Sequence, residues 1–81
     1  MKYSINRKPT LDELKNAPAS SNFITGNQAW LSVDGVSYVK IAANRWRRYS
    51  TGEHTIGGYG INDNDMYEIA KRGKNVWMQW D

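Results

Sequence analysis

Hydrophobic and polar residues alternate with a helical period in two parts of the chain, the first of them near its start. KYSI is short and apolar enough for a first strand, and TLDELKNAP after it has the pattern of a helix. Thr10 can cap that helix, and Glu13 three residues later completes a capping box. Leu11 and Leu14 give the helix a small buried face, and Pro18 prevents it from continuing. We therefore predict one short helix of about two turns.

From Phe23 onward the pattern changes to that of strands. The stretches NFIT, QAWLSV and VSYVKIA are separated by GN and DG, which predicts two hairpin turns between three strands, and RWRRYST adds a fourth strand. The Asp34–Gly35 turn is the stronger of the two, because a tight mirror-image turn needs positive φ at both central residues. Pairing outward from it predicts one face with Leu31, Val33, Val36 and Tyr38 and another with Trp30, Val39 and Ile41.

The C-terminal third combines a glycine-rich segment, a second helix and a final strand. GEHTIGGYGI contains four of the seven glycines and predicts a mobile loop, formed around Gly52, Gly57, Gly58 and Gly60. In NDNDMYEIAKRGK, Asn62 or Asn64 caps a helix that ends near Gly73. The inward stripe of that helix is predicted to be Met66, Ile69 and Ala70. In the final strand, NVWMQWD, alternation places Val76, Met78 and Trp80 on one side and Trp77 and Gln79 on the other.

Together these elements predict an α+β fold in one domain that comprises residues 1–81. We expect a mostly antiparallel, twisted sheet of four to six strands, either open or rolled toward a barrel, with two short helices. A chain of 81 residues buries only a thin core, so the ten aromatic residues have to supply much of it. Unpaired edge strands in so small a sheet are compatible with a homodimer.

The composition of the chain indicates its cellular location and the kinds of site and partner to expect. The chain has no cysteine, which excludes disulfides and thiolate zinc sites and favours a reducing, cytoplasmic location. No run of apolar residues is long enough for a signal peptide or a membrane span, so no membrane contact is expected. The first and last residues suggest a complete small gene product. A net charge of +3 with a pI near 9.3 permits anionic partners without requiring them.

Motifs for catalysis, metals and cofactors are missing from the sequence. His54 is the only histidine, and with only Glu53 beside it metal binding is not expected. The acidic NDNDMYEIAKRG lacks the glycine and glutamate that a calcium loop requires. GGYG matches neither of the two glycine motifs that bind phosphate, G-x-x-x-x-G-K and G-x-G-x-x-G. It can nevertheless present Tyr59 to a partner. We therefore expect neither an enzyme nor a cofactor, and no metal.

The segment NRWRRYST is the most basic part of the chain. No acid occurs between Asp34 and Glu53, whereas Lys40 and three arginines do. Strand alternation places Arg45, Arg47 and Tyr49 on one face and Trp46 with Arg48 on the other. If Trp46 is buried in the core, Arg45, Arg47 and Tyr49 point outward and can contact an anionic partner. The alternative is that they are ordinary solvated side chains, and that the arginine charges only keep the strand soluble.

Two binding functions follow from these patterns. The first is a small accessory protein, of the kind that phages and plasmids carry, which inhibits or modulates a host protein or protein complex. The alternative is nucleic-acid binding through Arg45, Arg47 and Tyr49. The predicted partner-binding residues are Arg45, Arg47, Arg48, Tyr49, Tyr59 and Trp77, and a secondary basic patch comprises Lys40, Lys71, Arg72 and Lys74.

Overall fold

A computed structural model describes residues 3–22, 26–50 and 55–81, with the backbone alone at residues 50 and 55–59. Over these residues it contains six strands, within the predicted range of four to six, and the two predicted helices, in the predicted α+β arrangement. Along the chain the elements are β1 (Tyr3–Ile5), α1 (Leu11–Asn16), β2 (Trp30–Val33), β3 (Val36–Ala42), β4 (Arg45–Ser50), β5 (Thr55–Ile61), α2 (Asp63–Arg72) and β6 (Val76–Trp80).

The strands form one antiparallel sheet in the order β1-β6-β2-β3-β4-β5. The C-terminal strand is therefore inserted between β1 and β2, while β2 to β5 form a meander. β1 and β5 are the two edges of the sheet and do not pair with each other, so the sheet is open. The barrel-like closure that the prediction allowed is therefore not formed.

The predicted hairpin between β2 and β3 is confirmed in turn type and register. Asp34 and Gly35 have φ values of 50° and 86°, as a mirror-image turn requires. Val33 pairs with Val36, and the next predicted pairs outward also form. Asp34 Oδ1 accepts hydrogen bonds from the backbone N–H groups of residues 74 and 75, at 2.9 and 2.8 Å. These two bonds lower the pKa of the Asp34 carboxyl and hold the turn against the start of β6.

Both helices begin where the sequence predicts. The Thr10 hydroxyl accepts a bond from Glu13 N, and the Glu13 carboxylate accepts one from Thr10 N, which forms the complete capping box of α1. Asn62, one of the two residues predicted, caps α2 by accepting a bond from Asp65 N at 2.7 Å. Gly73 ends α2 with φ −73°, so it is not in the left-handed conformation. A Cβ there would lie 2.6 Å from Val33 Cγ1, which explains why this position takes glycine.

The core lies between the two helices and one face of the sheet, which we call the helix-covered face. Leu14 from α1 and Met66 from α2 are fully buried there against the sheet. Trp46 is also fully buried, as predicted. The sheet contributes Leu31, Val33, Trp46, Val76 and Met78, with Ile5, Tyr38, Ile61 and Trp80 partly buried at its margin. The strand alternation predicted for β2, β3 and β6 therefore holds.

Two local predictions need correction. The glycine-rich segment predicted as a mobile loop is strand β5 over Thr55–Ile61, antiparallel to β4 with one register shift. Glycine has a weak strand preference, but the free edge of β4 offers a ladder of backbone hydrogen bonds, and Gly60 leaves room for the Arg45 side chain. The remaining part of that predicted loop, with His54, lies outside the described residues.

The predicted strand NFIT also lies largely outside the described residues. Asn22 and the residues from Gly26 to Ala29 are not in a strand, and β2 begins at Trp30. Gly26 N–H donates to the Asn22 carbonyl at 2.7 Å. Ala29 N–H donates to the Pro18 carbonyl, so the chain before β2 is held against the segment that follows α1.

Candidate functional site

The second face of the sheet is covered by neither helix, and we call it the helix-free face. Two rows of side chains cross it from β6 to β4. One row consists of Gln79, Trp30, Val39 and Arg47, and the next consists of Trp77, Ser32, Ser37 and Tyr49. Adjacent strands lie about 4.8 Å apart, so each row extends over about 14 Å. The face therefore presents a continuous four-strand surface.

Three aromatic side chains dominate the helix-free face. Trp30 meets Tyr49 edge to face, with ring centroids 5.1 Å apart and planes at 82°. Trp77 is 38% exposed on the neighbouring strand. Ser32 and Ser37 separate Trp77 from Tyr49 within their row. The aromatic groups of this row are therefore separated by two short side chains.

Two arginines extend this aromatic surface along β4. Arg45 is exposed and lies over Gly60, whereas Arg47 is half-buried. Arg47 pairs across the strands with Val39, which is fully buried although no helix covers this face. Arg47 Nε is buried and makes no hydrogen bond, so only the end of its guanidinium group is left for a partner.

Charge is segregated between the layers of the protein. None of the six strands contains an acidic residue, while β4 alone contains three arginines. The acids that the structure describes lie in the helices, in the β2–β3 turn and at the C-terminus, and they are Asp12, Glu13, Asp34, Asp63, Asp65, Glu68 and Asp81. The helix-free face is therefore positive, without a neighbouring carboxylate in the strands to neutralise it.

Lys40 does not belong to a surface patch, contrary to the prediction. It is 1% exposed on the helix-covered face. Its Nζ donates to the carbonyls of Leu14 and Lys15 at 2.6 and 2.8 Å, at the C-terminal end of α1. Burial lowers the pKa of the Lys40 ammonium, although the Asp63 carboxylate 3.7 Å away acts in the opposite direction. The alternation of β3 points this lysine inward, where its ammonium bonds two of the carbonyls that end α1. The Leu14 carbonyl also accepts a bond from Ala17 N–H.

Asp63 is a structural residue that the sequence patterns did not single out. Its Oδ1 accepts a 2.7 Å hydrogen bond from Trp46 Nε1, and its backbone N–H donates to Asn44 Oδ1 at 2.9 Å. With Lys40, these residues form a buried polar network that joins α1, α2 and the sheet. The polar groups of Lys40 and Trp46 are already hydrogen-bonded within this network, so neither side chain is free to bind a partner.

The other predicted site residues are divided among three places. Arg45, Arg47, Tyr49 and Trp77 share the helix-free face, as strand alternation predicts. Arg48 is exposed on the opposite face, beside the core, and therefore cannot act with them. The Tyr59 side chain lies outside the described part of the structure. At the end of α2, the secondary basic patch retains Lys71, Arg72 and Lys74, all exposed.

Trp30 is the residue of this face that the prediction of partner-binding residues missed. The β2–β3 register already placed it opposite the core side of the hairpin, which is the signal that could have identified it. Its proximity to Trp77 depends on the pairing of β6 with β2, and those strands are more than 40 residues apart in sequence. Local patterns do not specify such a pairing.

The described residues contain no cluster of three or more metal-ligating side chains. α2, the longer of the two described helices, has 10 residues, about half of what a membrane crossing needs. Searches of protein-family models, curated proteins and solved structures gave no significant match to this chain.

Proposed function

We propose that this chain is a non-enzymatic binding protein that holds a protein partner on its helix-free face. One observation carries the proposal: Trp30, Tyr49 and Trp77 share a face with two arginines, and no acid occurs in the strands. Tryptophan, tyrosine and arginine are the residues most enriched at the energetic centres of protein interfaces. The partner we expect is a protein surface that offers apolar side chains to the aromatic groups and carboxylates to Arg45 and Arg47.

The composition of the face favours a protein over a nucleic acid. Lysine is depleted in protein interfaces, and the two rows of the helix-free face contain none. Nucleic-acid surfaces usually collect many positive charges to neutralise phosphates, whereas this face has two. An interface of ordinary size, about 800 Å² per partner, would cover about 15% of the 5216 Å² surface.

Nucleic-acid binding is the second candidate, and the position of Tyr49 beside Trp30 favours it. Exposed aromatic rings next to arginines can stack on bases while guanidinium groups contact phosphates. A role as an accessory factor that inhibits or modulates a host protein rests on chain length alone and stays a prediction, as does a cytoplasmic location.

The test is affinity capture from source-cell extract after nuclease treatment, with the wild type and matched variants. Trp77→Ala should reduce the affinity for the captured partner by about 30-fold or more, which is the effect of truncating an aromatic residue at the centre of an interface. Tyr3→Ala is its control, because Tyr3 is exposed but lies on the opposite face and stacks on Trp80. The control should retain the partner.

Charge reversal tests the arginines. Arg45→Glu should slow association and reduce its dependence on salt. Arg48→Glu is the matched control, because it reverses the same charge on the same strand but on the opposite face. Loss of all bound material on nuclease treatment would overturn the protein proposal in favour of nucleic acid. Equal effects of the two reversals would contradict the assignment of the face.

A further inference from the structure

A groove of about 230 Å³ lies between α1 and the strands β1 and β6, and we call it the α1 groove. Its apolar lining consists of Ile5, Ala17 and Trp80. Ile5 and Trp80 are only half-buried, at the margin of the helix-covered face. The α1 groove therefore leaves apolar surface at the margin of the core accessible to a ligand, on the side of the sheet opposite the helix-free face.

The aromatic wall of the α1 groove is held in place by the sheet. Trp80 pairs with Tyr3 across β6 and β1, and the two rings stack with centroids 5.6 Å apart and an angle of 17°. Ile5 pairs with Met78, which is fully buried. The position of the Trp80 indole is therefore determined before a ligand binds, which reduces the entropy that binding would otherwise cost.

The polar lining of the α1 groove comes from one side of α1, which supplies Asp12, Glu13 and Asn16. The Glu13 carboxylate is already bonded to the Arg7 guanidinium at 2.7 and 2.8 Å and to Thr10 N–H, so its charge is balanced. The Asp12 side chain, in contrast, is exposed and makes no hydrogen bond or ion pair with any residue that the structure describes. Because an aspartate carboxylate is attached directly to Cβ, it stays close to the helix surface that lines the groove. The α1 groove therefore has one unbalanced negative charge at its mouth.

We propose that the α1 groove binds a small organic cation in which an ammonium group is attached to an apolar body. The apolar body would contact Ile5 and Trp80, and the ammonium would contact the Asp12 carboxylate. Asn16 lies one helical turn after Asp12 on the same side of α1, so its side-chain carbonyl can accept a second bond from the ammonium. Both polar residues are exposed, so a ligand can reach them. The volume equals that of roughly eight waters, which suits a molecule of about ten heavy atoms or fewer.

The experiment is an NMR titration of the ¹⁵N-labelled wild-type protein with benzylamine, which is protonated at neutral pH. It follows the indole N–H resonance of Trp80, identified by its loss in Trp80→Phe. Benzyl alcohol is the matched control because it has the same ring without the charge, and benzoate reverses the charge. We expect benzylamine to shift the Trp80 resonance saturably with a Kd of roughly millimolar, the range for a ligand of this size. The indole resonance of Trp77, on the helix-free face, should not move.

The contribution of the carboxylate is measured by comparing probes and variants. Benzyl alcohol should bind about three- to fivefold more weakly than benzylamine, which is the effect of a partly exposed ion pair. Benzoate should give no saturable shift. Asp12→Asn should reduce the affinity for benzylamine by the same factor and leave that for benzyl alcohol unchanged. Asp65→Asn is the matched control, because Asp65 is also an exposed acid in the first turn of a helix but does not line the groove, and it should change neither affinity.

The proposal is overturned if benzylamine gives no saturable shift of the Trp80 resonance, or if benzyl alcohol binds as tightly. It is also overturned if Asp12→Asn and Asp65→Asn change the affinity for benzylamine equally. Binding of Nα-acetyl-lysine N-methylamide without binding of benzylamine would assign the groove to a lysine side chain of a protein instead. The comparison of the probes uses the wild-type protein, so it holds even if a variant does not fold.

The α1 groove does not depend on the proposed function, because it lies on the other side of the sheet from the helix-free face. Benzylamine binding without any captured protein partner would refute the proposed function alone. A captured partner whose binding depends on Trp77, without benzylamine binding, would refute the assignment of the groove alone.

Discussion

Replacing Lys40 with methionine tests whether the buried polar network holds the two layers together. Methionine keeps most of the apolar length of lysine and removes only the charged donor. The carbonyls of Leu14 and Lys15 lose their bonds to Nζ, and Asp63 is left as a buried charge whose cationic neighbour is gone. The side chains of Lys40 and Asp63 are 2% and 6% exposed, so water cannot easily replace what is lost.

The expected loss is large compared with the stability of so small a protein. Lys40→Met removes the donor to two carbonyls, and a buried acceptor that loses its partner costs about 1–3 kcal/mol. A chain of 81 residues has a free energy of unfolding of roughly 4–12 kcal/mol. Lys40→Met should therefore lower the midpoint of urea unfolding severely, whereas Lys74→Met, an exposed control, should change the free energy by less than about 0.5 kcal/mol.

A double-mutant cycle with Asp63→Asn isolates the pair. Asparagine keeps an oxygen that accepts the Trp46 Nε1–H bond and removes the charge. In the wild-type background Asp63→Asn should destabilise the protein. In the Lys40→Met background the same change should restore part of the lost stability, and we expect a coupling free energy between the two sites of about 0.5–3 kcal/mol. A loss below about 1 kcal/mol in Lys40→Met, without restoration by Asp63→Asn, would refute the network as a stabilising element.

The pH dependence gives an independent check on Lys40. Its pKa in the folded protein lies below the unfolded value of 10.5, so the unfolded chain binds the proton more tightly. The free energy of unfolding should therefore rise with pH between the folded pKa and 10.5. This rise should be absent in Lys40→Met. The same alkaline dependence in both proteins would show that another group is responsible.

Three further predictions concern the helix ends. Thr10→Ala removes the side-chain half of the capping box and should cost about 1 kcal/mol in urea unfolding; no change would contradict the cap. The Arg7 guanidinium, together with the capping bonds, lowers the pKa of Glu13 to about 2 from 4.5. Stability from Glu13 should thus be complete above pH 4.5 and be lost as pH falls toward 2, a dependence that Glu13→Gln should remove. Gly73→Ala should lower the thermal midpoint, since its Cβ would lie 2.6 Å from Val33 Cγ1; an unchanged midpoint would show that this contact relaxes freely.

The features that the sequence predicted correctly depend on local chemistry. Positive φ at Asp34 and Gly35 determines the turn, and the turn determines the register and faces of β2 and β3. The capping of α1 by Thr10 is equally local. The errors involve partners that are distant in sequence. Strand β5 exists because β4 offers a free edge, and the inward Lys40 is stabilised by the end of a helix 25 residues earlier.

The same distinction changes how the basic segment of the chain should be interpreted. In the sequence, Lys40 and the three arginines of β4 look like a single cluster of four charges. In the structure Lys40 is part of the core network and Arg48 lies on the opposite face, which leaves Arg45 and Arg47. If the helix-free face bound single-stranded nucleic acid through these two residues, the salt slope of log K would be about −1.4. A much steeper slope would require charges outside this face. With only two charges and three aromatic groups, burial of aromatic surface has to supply most of the affinity, and a protein partner provides the apolar side chains for it.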